Sequence, residues 1–156
     1  MTNEDPDLKY DRSLLGAEQD MGSIEVTHEM IVRFARSTGE ANPIYLDDEA
    51  GKQSKYGSII APPTFCNTFV NGGTRPDIGL KFGDVSLFAG QSIETLAVVR
   101  PKDSLHASTK LKEVYAKTGR SGKMVFVVWE TSFTNQDGGT VALVEESFVS
   151  RKRNPR

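Results

Sequence analysis

The chain has 156 residues, 37% of them hydrophobic and 26% charged, which suits one folded domain with a real core and excludes a wholly disordered chain. The net charge of −2 lacks the basic excess of a general nucleic-acid binder, and one cysteine, Cys66, with two histidines, His28 and His106, leaves no intrachain disulfide and too few ligands for a closed Cys/His zinc site. No apolar run approaches the ~18 residues of a membrane span, and the acidic start MTNEDPDLKYDRSLL lacks the apolar stretch of a secretory signal. The expectation is a cytoplasmic protein with no nucleic-acid or membrane partner and no metal.

In chain order, residues 1–20 read as a polar N-terminal arm on which Leu14 and Leu15 are candidates for docking. A single domain is set at 21–152 and a basic tail at 153–156. Residues 23–26 suit a short strand. Thr27 is a natural N-cap for a helix whose Met30, Ile31, Phe34 and Ala35 share one face, and Gly39 stops it. Asn42-Pro43 is a turn pair. Asp47 or Asp48 can cap a short helix over 49–54. Pro62-Pro63 can lead into a helix over 64–70, apolar at Phe65, Cys66, Phe69 and Val70. Residues 71–85, rich in Gly, Pro and Asp, form the longest loop and a candidate mobile segment.

The second half alternates with period two. Residues 92–99 and 105–112 read as strands joined by a turn at 100–103. Residues 117–123 are a second turn. Residues 124–129 are apolar almost throughout, as in a central strand, and 135–140 is a hairpin turn before a last strand over 140–150. Helices gathered on one side of an antiparallel sheet make an α+β architecture, here with the sheet wrapped around the 64–70 helix. The edges of such a sheet need cover, which favours a dimer.

Three separated segments, VTHEMIVRFARSTGEANPIYLDDEAG, GSIIAPPTF and ETSFTNQDGGTVA, resemble the MaoC-like dehydratase/(R)-specific enoyl-CoA hydratase family in that family's order. The likeness is nearest to its MaoC dehydratase N-terminal domain branch and spans about residues 10–152. The resemblance implies a hot-dog fold, a curved antiparallel sheet of about five strands around a central helix with an overhang segment, two units pairing into one continuous sheet. It implies hydration of 2-enoyl thioesters or dehydration of 3-hydroxyacyl thioesters. The acyl group would be carried on coenzyme A or acyl carrier protein, with no other cofactor.

Active members of that family carry Asp-x-x-x-x-His around a central Asn-Pro. The carboxylate handles the water that adds to the β-carbon, and the imidazole exchanges a proton near pH 7. Here Glu40 stands at the Asp position, Asn42 is kept, and Tyr45 stands at the His position; a tyrosine, with a reference pKa of about 10, shuttles protons poorly at neutrality. Pro62-Pro63 replaces the family's His-Gly pair and removes an N–H that would polarise the thioester carbonyl. Lys102 departs from the family's Gly before the matching Asp103.

These departures resemble the catalytically incomplete half of two-part hydratases, whose partner carries the Asp/His pair. The expected site is therefore Glu40, Asn42 and Tyr45 for catalysis, with Pro62, Pro63, Thr64, Phe65 and Phe69 for substrate binding. The expected partner is a second MaoC-like subunit or a second copy. The alternatives are a non-catalytic acyl-thioester-binding scaffold, a self-sufficient homodimeric hydratase using Glu40, and, less favoured by the lost N–H, a hot-dog thioesterase. Residues 119–123 are read as a hairpin turn and not a phosphate loop, Cys66 as a buried apolar residue and not a nucleophile, and the charged 151–156 end as solvated.

Overall fold

In the computed structural model, which describes residues 5–153, five strands build one curved antiparallel sheet in the order β1-β3-β4-β5-β2. They are β1 (Glu18–Glu25), β2 (Val85–Thr95), β3 (Ser104–Gly119), β4 (Gly122–Thr134) and β5 (Thr140–Arg151). Residues 1–4 of the arm and 154–156 of the basic tail lie outside the described residues. No helix among the described residues is long and apolar enough to cross a membrane.

Helix α1 (His28–Ser37) follows β1 and is capped by Thr27, whose hydroxyl accepts from the Met30 N–H at 3.1 Å. Its apolar stripe buries Ile31 and Ala35 against the sheet. Gly39, at φ 75°, turns the chain out of it. Helix α2 (Asp48–Gln53) is capped by Asp47, which accepts from Ala50 N–H at 2.8 Å. The strand β4, apolar in the sequence, is the middle strand.

Several elements differ from the sequence expectation. The turn read at 117–123 narrows to 120–121, because β3 runs on to Gly119 and β4 starts at Gly122, and β4 continues past residue 129 to Thr134. The first strand begins at Glu18 and not at residue 23; the register shift between Asp20 and Ser23 interrupts the alternation that would have marked its first half. The β2 strand spans Val85–Thr95, so residues 96–99 leave the ladder, and Leu96 and Ala97 N–H groups both donate to the Val141 carbonyl. As an edge strand with a shift between Phe88 and Gly90, β2 shows no clean burial period. The segment after Pro62-Pro63 is a 3-10 turn, Phe65–Phe69, and not an α-helix; Thr64 gives it no side-chain cap. The sheet therefore wraps a 3-10 turn, with α1 beside it.

Two apolar clusters lie against the sheet. One joins α1 and the 3-10 turn to Leu105, Ala107, Phe133, Ala142 and Val144. The other gathers Leu111, Val114, Val125, Val127 and Trp129 under Leu8 and Ile78. The loop after residue 70 is tied down there: Ile78 accepts from Asp11 N–H at 2.8 Å and Lys81 N–H donates to the Lys9 carbonyl at 2.9 Å. Between the two clusters sit three buried polar residues, Thr109, Thr131 and Glu146.

Candidate functional site

The overhang between α1 and the 3-10 turn begins at Glu40, whose N–H donates to the Ala35 carbonyl at 2.9 Å and so stays folded onto the end of α1. Asn42 then caps a short 3-10 turn over Pro43–Tyr45, its Oδ1 accepting from Ile44 N–H at 3.1 Å. That turn carries Tyr45 inward. The chain returns after α2 through 59–61, where Ile60 N–H donates to the Ile44 carbonyl at 3.2 Å and Ala61 N–H to the Val99 carbonyl at 2.8 Å. The first bond closes the overhang on itself, and the second ties it to the segment that follows β2.

These segments enclose a cavity of about 200 Å³. Tyr45, Tyr56, Pro62, Pro63, Phe65 and Cys66 line it from the overhang and the 3-10 turn; Thr95, Val99, Val141 and Ala142 line it from the sheet side. The Thr95 hydroxyl donates to the Pro63 carbonyl at 2.8 Å and holds the proline pair against β2. At Tyr56 the Arg100 guanidinium lies 5.9 Å from the ring centroid, and its Nε donates to the Tyr56 carbonyl at 3.4 Å. The loop 100–103 is itself pinned by Asp103, which accepts from Arg100 N–H at 2.8 Å and from Gln136 Nε2 at 3.0 Å.

Of the residues singled out in the sequence, Tyr45, Pro62, Pro63 and Phe65 meet at this cavity. Glu40, Asn42, Thr64 and Phe69 are not among its lining residues. Asn42 works as the cap already described. Phe69 packs on Phe65 with ring centroids 5.0 Å apart and faces a separate groove with Met30 and Phe34. Among the described residues no histidine and no carboxylate lines the cavity. His28 pairs with Asp48 (Nε2 to Oδ1, 2.8 Å), and His106, exposed on β3, lies 3.3 Å from Ser23 Oγ by its Nδ1. Burial pushes the Cys66 thiol up to about 12, which keeps it protonated and unreactive. Among the described residues no group of three or more His, Cys, Asp or Glu is placed to hold a metal ion.

The sequence did not announce Tyr56, Thr95 or the Val141–Ala142 floor, because these sit on elements brought together only by the sheet. Nor did it announce the buried pair of Arg75 and Glu146, with side chains 15% and 6% exposed. Arg75 also reaches Thr131 Oγ1 at 3.4 Å, which in turn donates to Thr109 Oγ1 at 3.0 Å, and its guanidinium lies 5.4 Å from the Trp129 ring.

A five-stranded antiparallel sheet closed around a central turn, with an overhang leading into an apolar cavity at the start of that turn, defines a hot-dog domain of the dehydratase/hydratase class. Residues 13–144 match the family described as FAS1-like, dehydratase domain region, and the chain belongs to this family of MaoC-like dehydratase domains. A UPF0336 protein of Parafrankia sp. (strain EAN1pec) is 31% identical over 139 residues, covering 84% of this chain and 87% of that protein. Among solved structures, the C-terminally truncated HadBC (3R-hydroxyacyl-ACP dehydratase) complex of Mycobacterium tuberculosis superposes with a TM-score of 0.71 at 20% identity, over 90% of this chain and 99% of that one. R-hydratase PhaJ1 of Pseudomonas aeruginosa gives 0.67 at 18% identity, over 89% and 83%. At these identities the two structures share the fold with this chain.

Proposed function

We propose that the chain is one subunit of an enoyl-thioester hydratase, or of the reverse 3-hydroxyacyl-thioester dehydratase, and that it binds and positions the acyl group while a second MaoC-like subunit supplies the Asp/His pair. The observation that carries this reading is the cavity: it lies where the overhang meets the central turn, it is largely apolar, and among the described residues neither an imidazole nor a carboxylate lines it. Adding water across a 2-enoyl thioester requires a group to deprotonate the water and a group to protonate the α-carbon. Tyr45 is the residue of the Glu40/Tyr45 pair that reaches the cavity, and Glu40 stands outside its lining. Pro62 and Pro63, just before the central turn, have no N–H to donate to a thioester carbonyl.

The open edge of the sheet suits such a partner. Strand β2 is paired on one side, to β5, and carries Leu87 and Phe88 at 46% and 58% exposure, with Leu96 just beyond it. A second hot dog aligned along β2 continues the sheet and covers these side chains. It also brings its own overhang to the side of the cavity lined by Thr95. The solved HadBC neighbour is a complex, which accords with a two-subunit arrangement.

The test is a hydration assay with a 2-enoyl-CoA and with the matching acyl-carrier thioester, on the purified chain alone and after mixing with a MaoC-like protein carrying the full Asp/His pattern. The proposal expects turnover only in the mixture. Turnover by the chain alone that Glu40→Gln abolishes would establish a self-sufficient enzyme instead. A mixture that stays inactive yet binds the thioester would leave the scaffold reading in its place.

A further inference from the structure

Apolar residues of similar volume serve as well as a buried ion pair in most cores, so the position of Arg75 and Glu146 calls for a reason. The pair forms a polar layer with Thr131 and Thr109 across the inner face of the sheet. On one side of this layer lies the apolar cluster that contains the cavity floor; on the other lies the cluster around Trp129. Arg75 Nε is buried and has no acceptor among the described residues.

The layer stands in line with the cavity. Ala142 belongs to the cavity floor, and the following residues on the same face of β5 are Val144 and Glu146. At the rise of an antiparallel strand, Ala142 to Glu146 is ~13 Å. The roof over this strip is the 3-10 turn Phe65–Phe69, which lacks a side-chain cap and holds a buried Asn67 Oδ1 with no donor among the described residues. A short, imperfectly bonded element over an apolar floor is the part of a core most easily displaced. Beyond the layer is a second cavity of about 240 Å³, lined by Arg75, Trp129, Val127 and Phe148 among others.

We propose that the Arg75–Glu146 pair is the end stop for an acyl chain entering the first cavity, and so sets the longest chain this subunit accommodates. The inference rests on the acyl-thioester reading above and adds a specificity determinant to it. Each methylene laid along Val144 leaves water for an apolar surface. The methylene that reaches Glu146 meets a charged pair that it can neither bond nor displace without leaving one charge buried and unpaired. With the pair made apolar, the strip continues into the second cavity.

The test is the double substitution Arg75→Met with Glu146→Leu, chosen because removing both charges together spares the fold the unpaired charge of either single change. Saturated acyl-CoAs from butanoyl to palmitoyl are titrated into each protein by calorimetry, with thermal melting as the check on folding. For the unsubstituted chain, affinity should rise with length and then level off. For the folded double variant, it should go on rising past that length, by up to about fourfold per added methylene. Plateaus at the same length in both proteins would overturn the end stop and leave the acyl-thioester reading standing. Absence of acyl-CoA binding by either protein would overturn both.

Discussion

Removing the partners of the Arg75–Glu146 pair one at a time should be far more damaging than removing them together. The side chains are 15% and 6% exposed, close enough to full burial that either single change, Arg75→Met or Glu146→Leu, strands a charge away from water. The expected loss is about 3–5 kcal/mol for each, a large share of the roughly 5–15 kcal/mol that holds a domain folded. In the double variant both charges go. It forfeits the guanidinium–Trp129 contact, about 1 kcal/mol, but also removes the unbonded Arg75 Nε, a gain of similar size. Its stability should fall within about 2 kcal/mol of the parent, so the cycle should return a coupling energy of more than about 3 kcal/mol. Urea unfolding followed by Trp129 fluorescence measures all four proteins. Single variants that each lose under about 1 kcal/mol and add in the double, as solvent-exposed pairs do, would refute the account of a desolvated layer.

Three further outcomes are expected. Gly51, buried in α2, leaves no room for a methyl group: a Cβ there would stand 2.3 Å from Ile59 N and 2.5 Å from Ser58 C. Gly51→Ala should therefore destabilise by about 1–3 kcal/mol from overpacking despite Ala's roughly 1 kcal/mol helix advantage, and an unchanged or raised melting temperature would contradict the packing of 58–59 against α2. On the outer face, burial pushes the Glu130 carboxyl up, but hydrogen bonds from Lys112 and Lys110 outweigh it and hold it below its usual value. A lowered folded-state pKa gives stability that is present above the unfolded value and lost as pH falls through the folded one. Lys112→Met should accordingly flatten the acid limb of a stability–pH curve, and a limb that overlays the parent's would count against this coupling. Cys66, with its thiol raised to about 12 by burial, should resist iodoacetamide at pH 8 in the folded chain and react on unfolding; full labelling of the native protein would show that the cavity wall is open at that point.

What the sequence disclosed and what it hid follow from the range of the interactions involved. Local signals were legible: Thr27 as a cap, Asp47 as one of two candidate caps, Gly39 as a stop and Asn42-Pro43 as a turn each act within a few residues, and each stands where its chemistry placed it. The centre of β4 showed itself because residues 124–129 of this middle strand are apolar, whereas its ends, Gly122-Lys123 and 130–134, carry polar residues and were not read as part of it. The beginning of β1 and the course of β2 were obscured because a bulge and an open edge both break the period-two pattern. The central element read as a helix because its apolar positions fit one, but without a cap it closes as a 3-10 turn. At the site, the overhang motif pointed to Tyr45, Pro62, Pro63 and Phe65. It could not point to Thr95 or Val141, which meet through the β2–β5 pairing of Thr95 with Ala142, nor to the Arg75–Glu146 pair, which forms through a loop folded back across the sheet onto a strand some 70 residues further on.

The most direct test of the central claim is the rate of 2-enoyl-CoA hydration measured at fixed chain concentration while a MaoC-like partner bearing Asp and His is titrated in. An incomplete half predicts a rate near zero without partner that rises and saturates at one partner per chain, and that Glu40→Gln leaves largely unchanged. A full rate from the chain alone, insensitive to the partner and lost with Glu40→Gln, would contradict it.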